Sequence, residues 1–214
     1  MTITIINGSP KPRESTSELL IKYLVPFINK NEIVTYNKPY LTDKQFEEIN
    51  KSNVLIFVFP LYIDSIPTNL LQLLIKFEKR TLFSNDTMVY CIINNGFFEG
   101  KQNHVAFDQM KNWCKSVDLI WGQAIGLGAG EMLPFLKDIP LGHGPNKNIG
   151  KAFKELACNI TSLSSGKDIF ISPNWSRFLW KIQASLFVWY PRAKKNGLKK
   201  CDLFKQINSK STDF

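Results

Sequence analysis

The chain has 214 residues, 44% hydrophobic and 21% charged, and 27 Lys and Arg against 18 Asp and Glu give a formal charge of +9. That length suits one domain, or one domain with an appendage, and the ordinary composition excludes disordered and fibrous classes. No stretch reaches about 18 uninterrupted apolar residues, so no membrane-spanning helix is expected, while the basic balance keeps nucleic acid and anionic surfaces in view as partners.

The first ten residues, MTITIINGSP, carry neither a basic region nor a long apolar segment. They are expected to open the fold as a strand rather than serve as a secretory leader. Residues 2–6 alternate and are β-branched, which predicts that strand. Residues 15–29 place Leu20, Leu24, Phe27 and Ile28 on one helical face, with Pro26 expected to kink the helix or end it early. Residues 32–36 read as a second strand. Residues 42–50 read as a helix capped by Thr42, with Phe46 and Ile49 three apart. The continuous run NVLIFVF at 53–59 has the pattern of a central parallel strand buried on both faces. Helices at 66–79, 105–116 and 146–164 then alternate with strands at 87–94 and 119–127. Such alternation implies a parallel sheet with helices on both faces. Residues 168–172 are at most a short extra strand. The four cysteines, Cys91, Cys114, Cys158 and Cys201, have no metal, redox or disulfide spacing, which points to a reducing cytoplasm.

Ligands of open α/β sheets bind outside the carboxyl ends of the strands. After the first strand comes Asn7-Gly8-Ser9-Pro10-Lys11-Pro12-Arg13-Glu14-Ser15-Thr16-Ser17. A tight turn, hydroxyl donors and a helix N-terminus make an anion site suited to phosphate; a hydroxyl-rich cap is the other reading. The segment is neither GxxxxGK[ST] nor GxGxxG, which disfavours a nucleoside triphosphatase and the usual dinucleotide loop. After the third and fourth strands come Pro60-Leu61-Tyr62-Ile63 and Asn94-Asn95-Gly96-Phe97. Large side chains beside exposed backbone suit a flat amphipathic ring; Tyr62, Phe97 and Phe98 would otherwise cover the core edge. Residues 126–131, GLGAGE, are either a backbone loop approaching a ligand or a flexible exit turn.

No phosphoacceptor Asp ends the first or third strand, no Cys lies in the phosphate loop, and no G-x-S-x-G elbow occurs. His104 and His143 lie 39 residues apart without a ligand-spaced partner, which makes a metal site improbable. A phosphate cradle and aromatic shelves without an acid–base pair suggest that a bound cofactor carries the chemistry.

The segments INGSPK at 6–11 with STS at 15–17, PLYIDSIP at 60–67 and NNGFFE at 94–99 resemble the flavodoxin-like NAD(P)H-dependent FMN reductase and quinone oxidoreductase superfamily over roughly residues 1–165. The resemblance implies an α/β, flavodoxin-like three-layer sandwich. Its parallel sheet would have five strands in order 2-1-3-4-5, with helices on both faces. Residues 1–167 would form the FMN domain and 168–214 a C-terminal helical extension. It implies that Ser9, Lys11, Ser15, Thr16 and Ser17 hold the FMN phosphate. Pro60, Leu61, Tyr62 and Ile63 would flank the ring, with backbone N–H groups near its polar edge, and Asn94, Asn95, Gly96 and Phe97 would complete the pocket. Hydride would pass from NADH or NADPH through FMN to a quinone, nitro or flavin acceptor, in a homodimer. No catalytic side chain is implied, because the flavin accepts the hydride. Lys11 stands where many members have Arg, and Glu14 sets a negative charge beside the expected anion. A flavodoxin-type electron carrier, or a non-enzymatic protein docking through its tail, are the rival functions.

The tail holds most of the charge. Residues 174–214 have nine Lys or Arg and two acids, net +7, and residues 1–173 carry only +2. Trp175, Phe178, Leu179, Ile182, Leu186 and Trp189 recur at helical spacing, with Arg177, Lys181 and Arg192 off that stripe. This face would pack on the core or across a dimer, lie on an anionic membrane surface, or bind nucleic acid without sequence specificity.

Overall fold

The computed structural model describes residues 1–11, 13–28, 31–37, 40–80 and 83–205. Pro12 of the expected phosphate loop, Asn29 at the predicted end of the first helix, and 206–214 with Lys210 and Asp213 lie outside the described residues. Two compact units divide the chain, Met1–Asn174 and Trp175–Phe214.

The first unit is built on strands β1 Thr2–Asn7, β2 Glu32–Tyr36, β3 Val54–Pro60, β4 Met88–Asn94, β5 Ile120–Leu127 and β6 Ile169–Ile171. All are parallel, in the order β2-β1-β3-β4-β5-β6. The helices are α1 Thr16–Ile28, α2 Asp43–Ile49, α3 Thr68–Arg80, α4 His104–Ser116 and α5 Lys147–Thr161. Side chains of a strand alternate between faces, and β3 shows both destinations. Leu55, Phe57 and Phe59 join the apolar layer of α2, α3 and α4, with Phe46, Leu70, Phe77 and Trp113. Val54, Ile56 and Val58 join the layer of α1 and α5, with Leu20, Leu24, Phe153 and Leu156. Burial on both sides explains the unbroken apolar run of this strand. In the first layer Phe57 and Trp113 meet edge to face at 5.5 Å, and the Trp113 indole N–H donates to the Leu74 carbonyl at 3.2 Å.

Two expectations are corrected and one open reading is resolved. The sheet has six strands rather than five, because residues 169–171 pair with Ile125, Gly126 and Leu127. Three residues are too short for a periodic signal, and side chains around them settle the pairing. Asp168 accepts from Ala124 N–H at 2.9 Å and from the Trp121 indole at 3.1 Å, and pairs with Lys111. Phe170 stacks on Phe107 with ring centroids 4.6 Å apart. Second, α1 runs on past Pro26 to Ile28. Leu24 and Ile28, on either side of the proline, are both buried. Burying two such side chains is worth about 1.5–3 kcal/mol each, enough to offset the ~3 kcal/mol cost of an interior proline. Of the two readings left open for the loop at 126–131, the bonded backbone loop is the one seen; its bonds are described with the site. The Thr42 cap is present, with Gln45 N–H donating to Thr42 Oγ1 and Thr42 N–H donating to Gln45 Oε1, a capping box.

The second unit contains α6 Arg177–Gln183, a π-helical stretch Ala184–Trp189 and α7 Tyr190–Lys195, followed by a 3₁₀ turn Lys200–Phe204. Gly197, with φ of 72°, stops α7. Leu198 N–H donates to the Ala193 carbonyl at 2.9 Å and Gly197 N–H to that of Lys194 at 3.1 Å, which is a Schellman ending.

Candidate functional site

The loops that leave β1, β3, β4 and β5 at their carboxyl ends meet one another. The first begins at Asn7, whose side-chain Oδ1 accepts from Ser9 N–H at 3.0 Å, while Gly8 N–H donates to the Val58 carbonyl at 2.9 Å. A Cβ on Gly8 would come within 2.6 Å of Leu70 Cδ2 and 3.0 Å of Phe59 Cβ, so only glycine lets this turn lie against α3. Ser9 Oγ accepts from Lys11 N–H at 3.3 Å, and the Lys11 ammonium donates to the Glu14 carbonyl at 2.9 Å. Glu14 takes a left-handed φ of 51°. Ser15 then caps α1, its Oγ accepting from Glu18 N–H at 3.1 Å.

Ser9, Ser15 and Ser17 are all buried. Each hydroxyl oxygen is an acceptor, Ser17 taking Asn94 Nδ2 at 3.4 Å. Among the described residues, no protein acceptor takes their three protons. The first-turn N–H groups of a helix have no intrahelical partner either, and the helix dipole favours negative charge there. The cluster is therefore a set of buried hydroxyl donors at a helix N-terminus, where negative charge is favoured. Glu18 does not spoil it. A hydrogen bond from Lys22, 2.8 Å away, holds its carboxyl below the ordinary range, so the carboxylate stays ionised and is paired with a cation on the same helix. Thr16 differs from the serines, since its hydroxyl donates to the Gly130 carbonyl at 3.3 Å.

The second loop departs from expectation. Leu61 is buried and its N–H donates to the Asn94 carbonyl at 2.7 Å; Tyr62 N–H donates to the Ser65 carbonyl at 3.1 Å. These two N–H groups are thus consumed within the chain and cannot serve a ring edge. Between Tyr62 and Ser65 the chain reverses through Ile63 and Asp64, both left-handed, with φ of 49° and 53°. Ile63 is fully exposed and Tyr62 49% exposed. Pro60 is half-buried at the end of β3.

The third loop divides in the same way. Asn94 and Asn95 are buried brackets. Asn94 Nδ2 also donates to the Phe59 carbonyl at 3.2 Å; Asn95 Oδ1 accepts from Phe97 N–H at 2.9 Å and its Nδ2 donates to the Glu99 carbonyl at 3.2 Å. Gly96 and Phe97 are exposed. A Cβ on Gly96 would meet nothing nearer than Glu131 Oε1 at 3.8 Å. Internal packing therefore does not demand glycine at this position.

The 126–131 loop locks the others together. Asn95 N–H donates to the Leu127 carbonyl at 3.0 Å, Gly130 N–H to that of Asn95 at 2.7 Å, and Ala129 N–H to that of Phe97. A Cβ on Gly128 would collide with the Phe98 carbonyl. The glycines of this loop serve close backbone packing.

The structure thus gathers the expected residues at one edge of the sheet. It sorts them into buried donors (Ser9, Ser15, Ser17), internal brackets (Leu61, Asn94, Asn95) and an exposed rim (Lys11, Tyr62, Ile63, Gly96, Phe97). His104 and His143 are not part of it; each is exposed, with its Nδ1 beside a nearby carbonyl. Sequence reasoning missed three residues. Asn7 could have been found from the Asn-Gly-Ser run at the strand end. Glu131 faces Gly96, and Asn69, on α3, directs its Nδ2 at the Gly8 carbonyl, 3.5 Å away. Asn69 Oδ1 is buried without a hydrogen-bond partner among the described residues. No sequence pattern marks Asn69, whereas Glu131 closes the GLGAGE run at 126–131.

No protein-family model and no curated protein matches the sequence. Solved structures do. RosB with a bound intermediate, 8-demethyl-8-formylriboflavin-5'-phosphate, is 13% identical, with a TM-score of 0.58 covering 100% of this chain and 94% of that one. An FMN-dependent NADH-azoreductase from Bacillus anthracis in complex with FMN is 15% identical, with a TM-score of 0.55 over 75% of this chain and 99% of that one. A flavodoxin from Streptococcus pneumonia TIGR4 is 8% identical, with a TM-score of 0.56 over 76% of this chain and 99% of that one. The fold is therefore flavodoxin-like.

Proposed function

We propose that the chain binds FMN at this sheet edge and works as an oxidoreductase, taking hydride from NADH or NADPH for a quinone, nitro or flavin acceptor. The observation that carries the reading is the trio of buried serine hydroxyls, each with its proton unclaimed among the described residues, at the N-terminus of a 13-residue helix. A phosphate monoester supplies the acceptors that trio lacks. Two further features fit the rest of such a ligand. The orphaned Asn69 Oδ1 offers an acceptor to a hydroxyl-bearing chain, and the open space at Gly96 admits a flat ring to the backbone.

Bound FMN would supply the hydride-accepting centre. The chain's own part is positional. Ser9, Ser15 and Ser17 would donate to the phosphate, assisted by the Thr16 and Ser17 N–H groups and the helix dipole. Tyr62, Ile63 and Phe97 would bound the ring with apolar surface. Asn94 and Asn95 would act one step back, holding the loops in register. Likeness in fold to the azoreductase and to the flavodoxin supports a flavin reading.

A second reading takes the flavin phosphate as substrate. It is favoured by the likeness to RosB, which spans the whole chain, where the other two span about three quarters. The released flavin would then change mass with turnover.

Purified protein should be yellow and release FMN. A colourless preparation that ignores added FMN would refute both readings. Anaerobic NADH or NADPH should bleach the yellow protein; no bleaching with either would leave an electron carrier. Ser9→Ala with Ser15→Ala should weaken FMN retention by about 1–3 kcal/mol, the cost of lost charge-assisted bonds.

A further inference from the structure

We propose that the helical segment at 175–205 docks on an anionic lipid bilayer, lying in its interface. Three observations in this unit carry the idea. Among these residues only Ala193 is buried, so the segment has helices but almost no core of its own. Its large apolar side chains face solvent: Phe178 is 68% exposed and Phe187 72%, with Leu179, Ile182, Leu186 and Trp189 also exposed. Its charge is one-sided, with eight Lys or Arg against the single acid Asp202, which Lys205 already pairs at 2.6 Å.

The arrangement along the helix matches a bilayer interface. On α6, helical geometry sets Phe178, Leu179 and Ile182 on one side and Arg177 and Lys181 on the other. The π-helical stretch carries Leu186, Phe187 and Trp189, and basic α7 follows. Arg192 lies over the Trp189 ring at 5.9 Å and Lys200 over the Tyr190 ring at 4.6 Å. Amphipathic rings paired with cations suit the headgroup level, where Trp, Tyr, Lys and Arg collect. No described helix is long and apolar enough to cross a membrane. The mode is therefore interfacial, with the apolar face reaching the headgroup–acyl boundary.

Charge decides against the other occupants. A second copy of this surface would bring +7 against +7. Single-stranded nucleic acid would satisfy the cations and stack on rings, but would leave aliphatic Leu179, Ile182 and Leu186 uncovered. An anionic bilayer answers both needs, and each basic residue near it raises partitioning about fivefold.

The test is flotation of the full chain with vesicles of phosphatidylcholine alone or mixed with phosphatidylserine. Binding to the mixed vesicles should exceed binding to phosphatidylcholine by at least about tenfold and fall as salt is raised. F178S with F187S, and separately K194E with K195E, should each abolish it. Brominated lipids in the mixed vesicles should quench tryptophan emission of the unmodified chain, a readout that does not depend on any variant folding. Equal binding to both vesicle types, or no quenching, would overturn the proposal. So would a concentration-dependent doubling of mass that F178S with F187S removes, in favour of a second copy. Retention of single-stranded RNA without vesicle binding would overturn it in favour of nucleic acid.

Discussion

In the sheet-bearing unit Phe57 and Phe77 are buried with Trp113 between β3, α3 and α4, whereas in the C-terminal unit Phe178, Phe187 and Phe204 stand in solvent. The residue types are the same. What differs is what lies opposite. A sheet offers a broad apolar face, so each helix laid on it closes a layer and removes its side chains from water. Within the second unit the helical elements bury only Ala193, so they close no apolar layer among themselves. An apolar side chain stabilises the fold only where a second surface meets it; elsewhere it is free to meet something outside the chain.

The largest expected effect sharpens this contrast directly. Phe57→Ala should cost about 3–5 kcal/mol in urea unfolding, the sum of lost transfer and a cavity. Phe178→Ala should stay within about 0.5 kcal/mol, as for other exposed positions. Comparable costs for the two would erase the distinction between the units.

A smaller effect reads the same core through pH. Burial pushes the Tyr90 phenol up to about 12 from its ordinary 10, and the Cys114 thiol up to about 12 from 9. Cys91 is raised for the same reason. In the unfolded chain these groups release their protons near pH 9–10, while the folded chain retains them. The unfolded state binds fewer protons in that window, so stability is complete below pH 9 and falls as pH rises toward 12. Tyr90 alone should account for a loss on the order of 2 kcal/mol. In Tyr90→Phe the alkaline limb of a stability–pH curve should flatten, although the variant forfeits bonds to the Asn159 and Ser164 carbonyls, both at 2.9 Å. An unchanged slope would mean that the phenol is not buried in solution.

The smallest effect lies at the site. Ser15→Ala removes the α1 cap and should cost about 1 kcal/mol of stability, measured by thermal unfolding without flavin. Ser15→Asp should restore that stability while repelling a phosphate. If Ser15→Asp instead kept full flavin affinity, the cap would be the residue's whole role.

Much of the fold was legible because burial on two faces writes itself as an unbroken apolar run. Residues 53–59 announced the central strand, and Thr42 announced a helix start. Residues 169–171 did not, since a three-residue edge strand has too little pattern of its own. Asp168 and Phe170 place it, and their partners, Lys111, Trp121 and Phe107, are distant in sequence. Pro26 misled for a related reason: a local rule about helix breaking was outweighed by burial of Leu24 and Ile28.

For the site, sequence position told which loops would gather, because loops that follow parallel strands must emerge at one edge. It could not tell where each backbone N–H would go. Leu61 and Tyr62 looked available and are spent inside the chain, while the serines, read as phosphate donors with a hydroxyl-rich cap as the alternative, keep three protons that no described residue accepts. Local pattern, period and turn chemistry determined the elements, their order and the charge of the tail, since those depend on neighbours in sequence. Hydrogen-bond destinations, the sixth strand and the solvent-facing stripe of the second unit were decided only by tertiary structure. Each depends on which groups far apart in the chain come within about 3 Å, and a backbone N–H has only one proton to give.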